Sequence, residues 1–172
     1  PDQLNRLLEE GKGKSVQALS SMTSFVNSLQ IPRCIMMLVP AGKIVDEVID
    51  EIIPLLQKGD ILIDGGNSHF RDTDARLGKL ASTGIHFTGM GISGGEEGAR
   101  LGPSMMPGGN QKGYRELKNI FDSIAAQSDE GACVTFVGNG SAGHYTKMVH
   151  NGIEYALMQL ISEAYALLKN VA

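Results

Sequence analysis

Between Ile35 and Val137, short and nearly uninterrupted apolar runs alternate with amphipathic stretches, and glycine- or proline-rich turns separate them. A strand with one wet face alternates apolar and polar residues, whereas a run that is apolar throughout must be covered on both faces. The expected fold class is therefore α/β, a mostly parallel sheet with helices on its two sides. Cys34–Val39 reads as a first buried strand ended by Pro40. A helical stripe follows from Ile44 to Leu56, with Pro54 ending its regular part and Gly59 closing it. Ile61–Asp64 is the next strand, with a Gly65-Gly66 turn at its carboxyl end. Then come a helix over 73–82, a strand over 85–88, a long glycine-rich loop and a short strand at 104–106. A helix over 110–126 and a last strand at 134–137 complete the alternation. Ligands of such sheets sit beyond the carboxyl ends of the strands, where Pro40-Ala41-Gly42, Gly65-Gly66-Asn67 and Ser93-Gly94-Gly95 fall.

From Ala142 onward the pattern changes to a single helix that no proline interrupts, roughly 45 Å long at 1.5 Å per residue. Val149, Ile153, Leu157, Leu160, Ile161, Leu167 and Leu168 give it an apolar stripe too long for one small domain. Such a helix is expected to lead into a second domain or to pair with another chain. Its other face carries Lys147, His150, Asn151, Glu154 and Tyr155, at helical spacings of three and four residues. An amine, an imidazole, an amide, a carboxylic acid and a phenol in one stripe suit a site that moves protons. The competing reading is a solvated face with a few tertiary hydrogen bonds.

The start of the chain reads as a helix at Pro1-Asp2-Gln3-Leu4, with no strand before it. A parallel sheet that opens on a helix is expected to lack its first strands, so the chain reads as a piece of a larger protein. Two segments match the dinucleotide fingerprint G-x-G-x-x-G, Gly89–Gly94 and Gly138–Gly143. Neither is expected to hold a pyrophosphate. After the first comes Gly95-Glu96-Glu97-Gly98, read as a loop; after the second no strand returns to end in Asp or Glu.

A net charge of −4, with the basic residues scattered, leaves no footprint for nucleic acid. No apolar run approaches a membrane span and no signal pattern opens the chain. Cys34 and Cys133 lie in apolar runs and read as buried thiols of a reducing, cytoplasmic compartment. The four histidines pair with no Cys, Asp or Glu at ligand spacing, so no metal is expected.

Four motifs in order carry a family resemblance: Leu38-Val39-Pro40-Ala41-Gly42, Asp64-Gly65-Gly66-Asn67-Ser68, Gly91–Arg100 followed by Gly102-Pro103-Ser104, and Lys147–Tyr155. Together they resemble the decarboxylating 6-phosphogluconate dehydrogenases of the β-hydroxyacid dehydrogenase superfamily. The resemblance implies an incomplete Rossmann-like NAD(P)-binding domain over 1–140 and a linker helix over 141–172 that starts an all-α domain. The implied reaction oxidises and decarboxylates 6-phosphogluconate, a phosphorylated sugar acid, to ribulose 5-phosphate, with NAD or NADP as cofactor. It implies a catalytic role for Lys147 and Glu154. Asn67, Ser93, Gly94, Gly95, His150, Asn151 and Tyr155 become substrate contacts, Tyr155 toward the phosphate. Val39, Pro40, Ala41 and Asn67 are implied beside the nicotinamide half of the cofactor. Pro40 stands where many members carry lysine, a feature of a shorter, often NAD-preferring branch. A homodimer is implied, and the segment alone is expected to be inactive. The nearest alternative is a sister dehydrogenase acting on a small 3-hydroxy acid, which generally has a second asparagine at the position of Gly152 and no counterpart of Glu154. A non-catalytic binding module is the alternative from another class.

Overall fold

The computed structural model describes residues 2–171, so the reading of Pro1 as a helix-opening residue lies outside the described residues, as does Ala172. Two short helices, α1 (Asp2–Glu10) and α2 (Met22–Ser28), precede the sheet. The sheet is built from β1 (Cys34–Met37), β2 (Ile61–Asp64), β3 (His86–Ser93) and β4 (Ser104–Pro107) in that spatial order. β1, β2 and β3 are parallel, and β4 returns antiparallel to β3. The crossovers carry α3 (Lys43–Ile52) and α4 (Phe70–Leu80), while α5 (Gly95–Leu101) and α6 (Gln111–Ile124) flank β4 in sequence. A small hairpin, β5 (Gln127–Ser128) and β6 (Gly131–Ala132), precedes the long α7 (Ala142–Val171).

Every residue of β2 is buried, as its unbroken apolar run requires. Leu62 joins Ile35, Met37, Val45, Ile49, Leu80 and Phe87 in a core between the sheet and α2, α3 and α4. Ile61 and Ile63 point the other way, into a second core with Met90, Met105, Tyr114, Leu117 and Phe121 under α6. Each of the fully buried large side chains stabilises the fold by about 1.5–3 kcal/mol relative to exposure.

Several expectations need correction. β1 stops at Met37, and Leu38-Val39 leave the ladder, with Leu38 largely exposed. Pro54 ends the regular helix as expected, through a 3-10 turn at Ile53–Leu55, and Gly59 lies in the turn after it. α4 begins earlier than expected because His69 caps it, its Nδ1 accepting from the Arg71 amide. β3 continues through Gly89–Ser93, and Gly95–Leu101 is a helix, so half of the supposed loop is strand and the other half helical. Positive φ angles at Gly94 (135°) and Gly95 (63°) make that sharp strand-to-helix turn. The segment 134–137 is not a regular strand. It runs beside β4, held by isolated bridges from Met105 to Val134 and from Gly108 to Gly138. Cys34 is exposed because it opens the edge strand β1, and Cys133 is half-buried because it follows the small hairpin outside the strands.

The G-x-G spacings have a packing cause. Gly89 and Gly91 share one face of β3, and the first turns of α7 lie on it. A Cβ on Gly91 would stand 2.6 Å from Cβ of Lys147, and one on Gly143 would stand 2.1 Å from the Gly89 carbonyl oxygen. The amino end of α7 is therefore seated against backbone of β3 and β4. It presents no open cradle for a pyrophosphate. Among the described residues, no helix is long and apolar enough to cross a membrane.

Candidate functional site

Loops 38–41, 65–67 and 93–95 leave the carboxyl ends of β1, β2 and β3, and α7 runs past all three. Between them lies an open cleft of about 890 Å³. Every residue that the sequence nominated lines it: Val39, Pro40, Ala41, Asn67, Ser93, Gly94, Gly95, Lys147, His150, Asn151, Glu154 and Tyr155. One wall is apolar, formed by Leu38, Val39, Pro40, Ala41 and Ile92; α7 supplies the polar wall opposite.

Lys147 enters the cleft from the point where α7 crosses Gly91. It is half-buried, and that burial holds its pKa below the ordinary lysine value, while the Glu154 charge pulls the other way. Glu154 lies seven residues on, roughly 10 Å along the helix axis. His150 sits between them, its Nδ1 3.3 Å from Asn151 Oδ1 and 3.6 Å from Glu154 Oε2. Glu154 and Tyr155 are exposed, so this end of the site faces solvent in the described residues. The site thus has a shielded amine at one end and a hydrated carboxyl at the other.

Beneath the loops is a polar network that the sequence reading missed. Asp64 and Arg76 are buried, and Arg76 Nη1 donates to Asp64 Oδ2 at 3.2 Å. Ser68 Oγ donates to the same oxygen at 2.6 Å, and the Gly66 amide donates to Asp64 Oδ1 at 3.1 Å. The carboxylate of Asp64 thereby holds the Gly65-Gly66-Asn67 turn that brings Asn67 to the cleft. His144, one turn before Lys147, is also buried, and its Nδ1 shares a 2.6 Å hydrogen bond with Thr73 Oγ1. Burial keeps that imidazole below its ordinary pKa. A sequence signal existed: Thr73, Arg76, Leu77 and Leu80 recur on one face of α4, which sets an arginine among core positions. Met158, one turn beyond Glu154, also lines the cleft and was not nominated. Among the described residues, no group of three or more His, Cys, Asp or Glu is gathered for a metal.

The apolar wall fits the flat face of a nicotinamide ring, and Gly66 lets the two loops behind that wall pack closely, since a Cβ there would come within 2.9 Å of the Val39 carbonyl oxygen. No comparable cradle for the pyrophosphate is seen among the described residues. The turn Gly94-Gly95 opens a helix of seven residues whose first turn carries Glu96 and Glu97, which already satisfy its positive end and leave it no surplus for a pyrophosphate.

Both the sequence and the fold of this chain are similar to those of known proteins. The family model for the NAD binding domain of 6-phosphogluconate dehydrogenase matches residues 1–138, and that for the 6-phosphogluconate dehydrogenase C-terminal domain matches 143–172. The decarboxylating 6-phosphogluconate dehydrogenase of Candida albicans is 56% identical over 169 residues, 98% of this chain and 33% of that protein. Decarboxylating enzyme 1 of Saccharomyces cerevisiae is 55% identical over 165 residues, 96% of this chain and 34% of its own length. This chain thus spans about a third of the curated relatives it matches. The 6-phosphogluconate dehydrogenase of Plasmodium falciparum was solved in its apo form and in complex with its cofactor NADP+ and its substrate 6-phosphogluconate. It superposes with a TM-score of 0.89 at 42% identity, over 98% of this chain and 36% of that one.

Proposed function

The chain belongs to the 6-phosphogluconate dehydrogenase family, and from that premise we propose that it supplies the cofactor-side half of a site that oxidises and decarboxylates 6-phosphogluconate. The observation that carries this reading is the gathering of all the nominated residues, from three loops and one helix face, around a single cleft. Val39, Pro40, Ala41 and Asn67 would hold the nicotinamide half of NAD or NADP, which when bound supplies the hydride acceptor. Ser93, Gly94, Gly95, Asn67, His150 and Asn151 would hold the sugar acid, with Tyr155 at its phosphate. Residues 1–140 form the dinucleotide domain of this reading and 141–172 the helix leading from it.

The chemistry follows from the residue types. Lys147, whose pKa is lowered by its burial, accepts in its neutral form at Nζ the proton of the substrate hydroxyl as hydride leaves the same carbon. In the resulting 3-keto acid the bond to the carboxylate breaks and its electron pair moves into the carbonyl. Protonated Lys147 stabilises the oxyanion that forms and returns the proton to it. Carbon dioxide has then left, and the enediol takes a proton at carbon from Glu154 while its hydroxyl gives a proton back to Lys147, which leaves the ketone. The spread of Lys147 and Glu154 along α7 matches a base and an acid that serve different carbons of one extended substrate.

Gly152 and Glu154 favour this reaction over the sister oxidation of small 3-hydroxy acids. The exposed apolar residues of α7, among them Ile153, Leu157, Leu160, Ile161 and Leu168, support a covering partner, which we assign to a second copy in a homodimer. The full-length protein, given 6-phosphogluconate with NAD or NADP, should produce reduced cofactor and carbon dioxide in equal amounts. Reduced cofactor without carbon dioxide, or turnover of small 3-hydroxy acids alone, refutes the assignment.

A further inference from the structure

Arg76 touches none of the cleft yet is one of the most buried side chains of the molecule. We propose that it is a positioning residue which clamps the loop after β1 to the loop after β2 and so presets the dinucleotide side of the cleft, an inference that rests on the reading of that wall given above.

Its guanidinium makes a fork in three directions. Nε and Nη2 donate to the Asp46 carboxylate of α3 at 2.7 and 3.3 Å. Nη2 also donates to the carbonyl oxygen of Gly42, the last residue of the Pro40-Ala41-Gly42 loop, at 3.0 Å. Nη1 reaches Asp64 Oδ2 at 3.2 Å and Ser68 Oγ at 3.0 Å, the two residues that bracket Gly65-Gly66-Asn67. One planar cation therefore holds the base of both loops. Above it the loops touch, the Gly65 amide donating to Met37 O at 3.0 Å and Gly66 lying against the Val39 carbonyl. Burying such a charge gains little stability compared with an apolar side chain, so its presence calls for a positional reason. A lysine cannot replace it, because a single ammonium does not span acceptors in three directions. None of these bonds reaches Ser93, Gly94, Gly95 or the polar face of α7. The clamp acts on one wall only.

The test uses R76Q and R76K in the full-length protein, with D46N as the milder change should R76Q fail to fold, since Asp46 is half exposed. Amide hydrogen exchange is followed over residues 38–45 and 64–69, and the affinities for NAD, NADP and 6-phosphogluconate are each measured alone. R76Q should speed exchange in both segments together by about tenfold or more, and weaken dinucleotide binding by about tenfold to a hundredfold. Affinity for 6-phosphogluconate, which has only Asn67 in the clamped loops, should fall by no more than a few-fold and less than that for the dinucleotide, which a general loss of structure would not allow. R76K should recover much of the thermal stability without recovering dinucleotide affinity, and D46N should move the same readouts in the same direction by less. Unchanged exchange in folded R76Q, parallel losses for cofactor and substrate, or full rescue by R76K overturns the proposal. A wild-type protein that binds neither dinucleotide overturns the proposed function instead, and the exchange rates alone then support or overturn the clamp.

Discussion

Replacing Gly91 by alanine should displace the catalytic lysine without touching it chemically. The new methyl would stand 2.6 Å from Lys147 Cβ, 2.9 Å from the Gly143 carbonyl oxygen and 3.3 Å from Lys147 Cγ. Carbon atoms in contact prefer about 3.5–4.0 Å, so α7 and β3 must separate by roughly 1 Å at this point. Neither neighbour yields easily. Lys147 Cβ is fixed to the helix, and the Gly143 carbonyl belongs to a turn already wedged between Gly89 and Gly108. Overpacking of this kind costs about 1–3 kcal/mol. For a domain of this size, each kcal/mol lowers the Tm by roughly 2–4 °C. A shift of about 1 Å in a reacting group costs on the order of a hundredfold in rate. The assay is kcat for the full-length G91A protein beside its Tm and its affinity for NAD or NADP. The expected result is a fall of about a hundredfold in kcat, a modest drop in Tm, and dinucleotide affinity within a few-fold of wild type. Wild-type kcat and Tm in G91A would refute the packing argument. Equal loss of kcat and dinucleotide affinity would show that the strain spreads through the sheet.

Other outcomes follow from the same geometry. Lys147 has to be neutral to accept a proton, so kcat/KM should rise with pH, with an acid limb below the ordinary lysine value of about 10.4; K147M should lose activity by at least about a hundredfold at every pH. The Glu154 carboxylate favours the charged form of Lys147, so E154Q should move that acid limb to lower pH, as read from single-turnover hydride transfer, while steady-state product formation falls by about a hundredfold or more. Asp60 is fully buried, and burial alone would raise its pKa; amide bonds from Gln57 and Arg33 and the Arg33 guanidinium outweigh it and hold the pKa below the ordinary value. Its contribution is therefore present above the unfolded value of about 3.9 and lost as pH falls through the lower folded value. D60N should cost about 2–3 kcal/mol at neutral pH in denaturant unfolding, and the gap from wild type should close in acid.

Periodicity and motif spacing carried much of this protein. Unbroken apolar runs such as Ile61–Ile63 can be satisfied only in the interior of a sheet, and helical spacing alone puts Lys147, His150, Asn151, Glu154 and Tyr155 on one face. Positions Val39–Ala41, Asn67 and Ser93–Gly95 were legible because loops at the carboxyl ends of parallel strands converge. Less was legible at the edges and in the glycine-rich stretch. There Cys34 and Cys133 turned out to be accessible, residues 134–137 formed only bridges, and the loop after Thr88 resolved into a strand and a helix.

The sequence by itself determined which elements form and which side chains share a face, because those depend on local periods of two and of 3.6 residues. Only the tertiary structure decided what Gly89, Gly91, Gly143 and Arg76 are for. A missing Cβ matters through what approaches it, and a buried guanidinium through the carbonyl and carboxylates that converge on it from 12, 30 and 34 residues away. Such contacts between distant segments come into being when α7 is laid across β3 and when α4 is packed beneath the loops, and no local pattern along the chain encodes them.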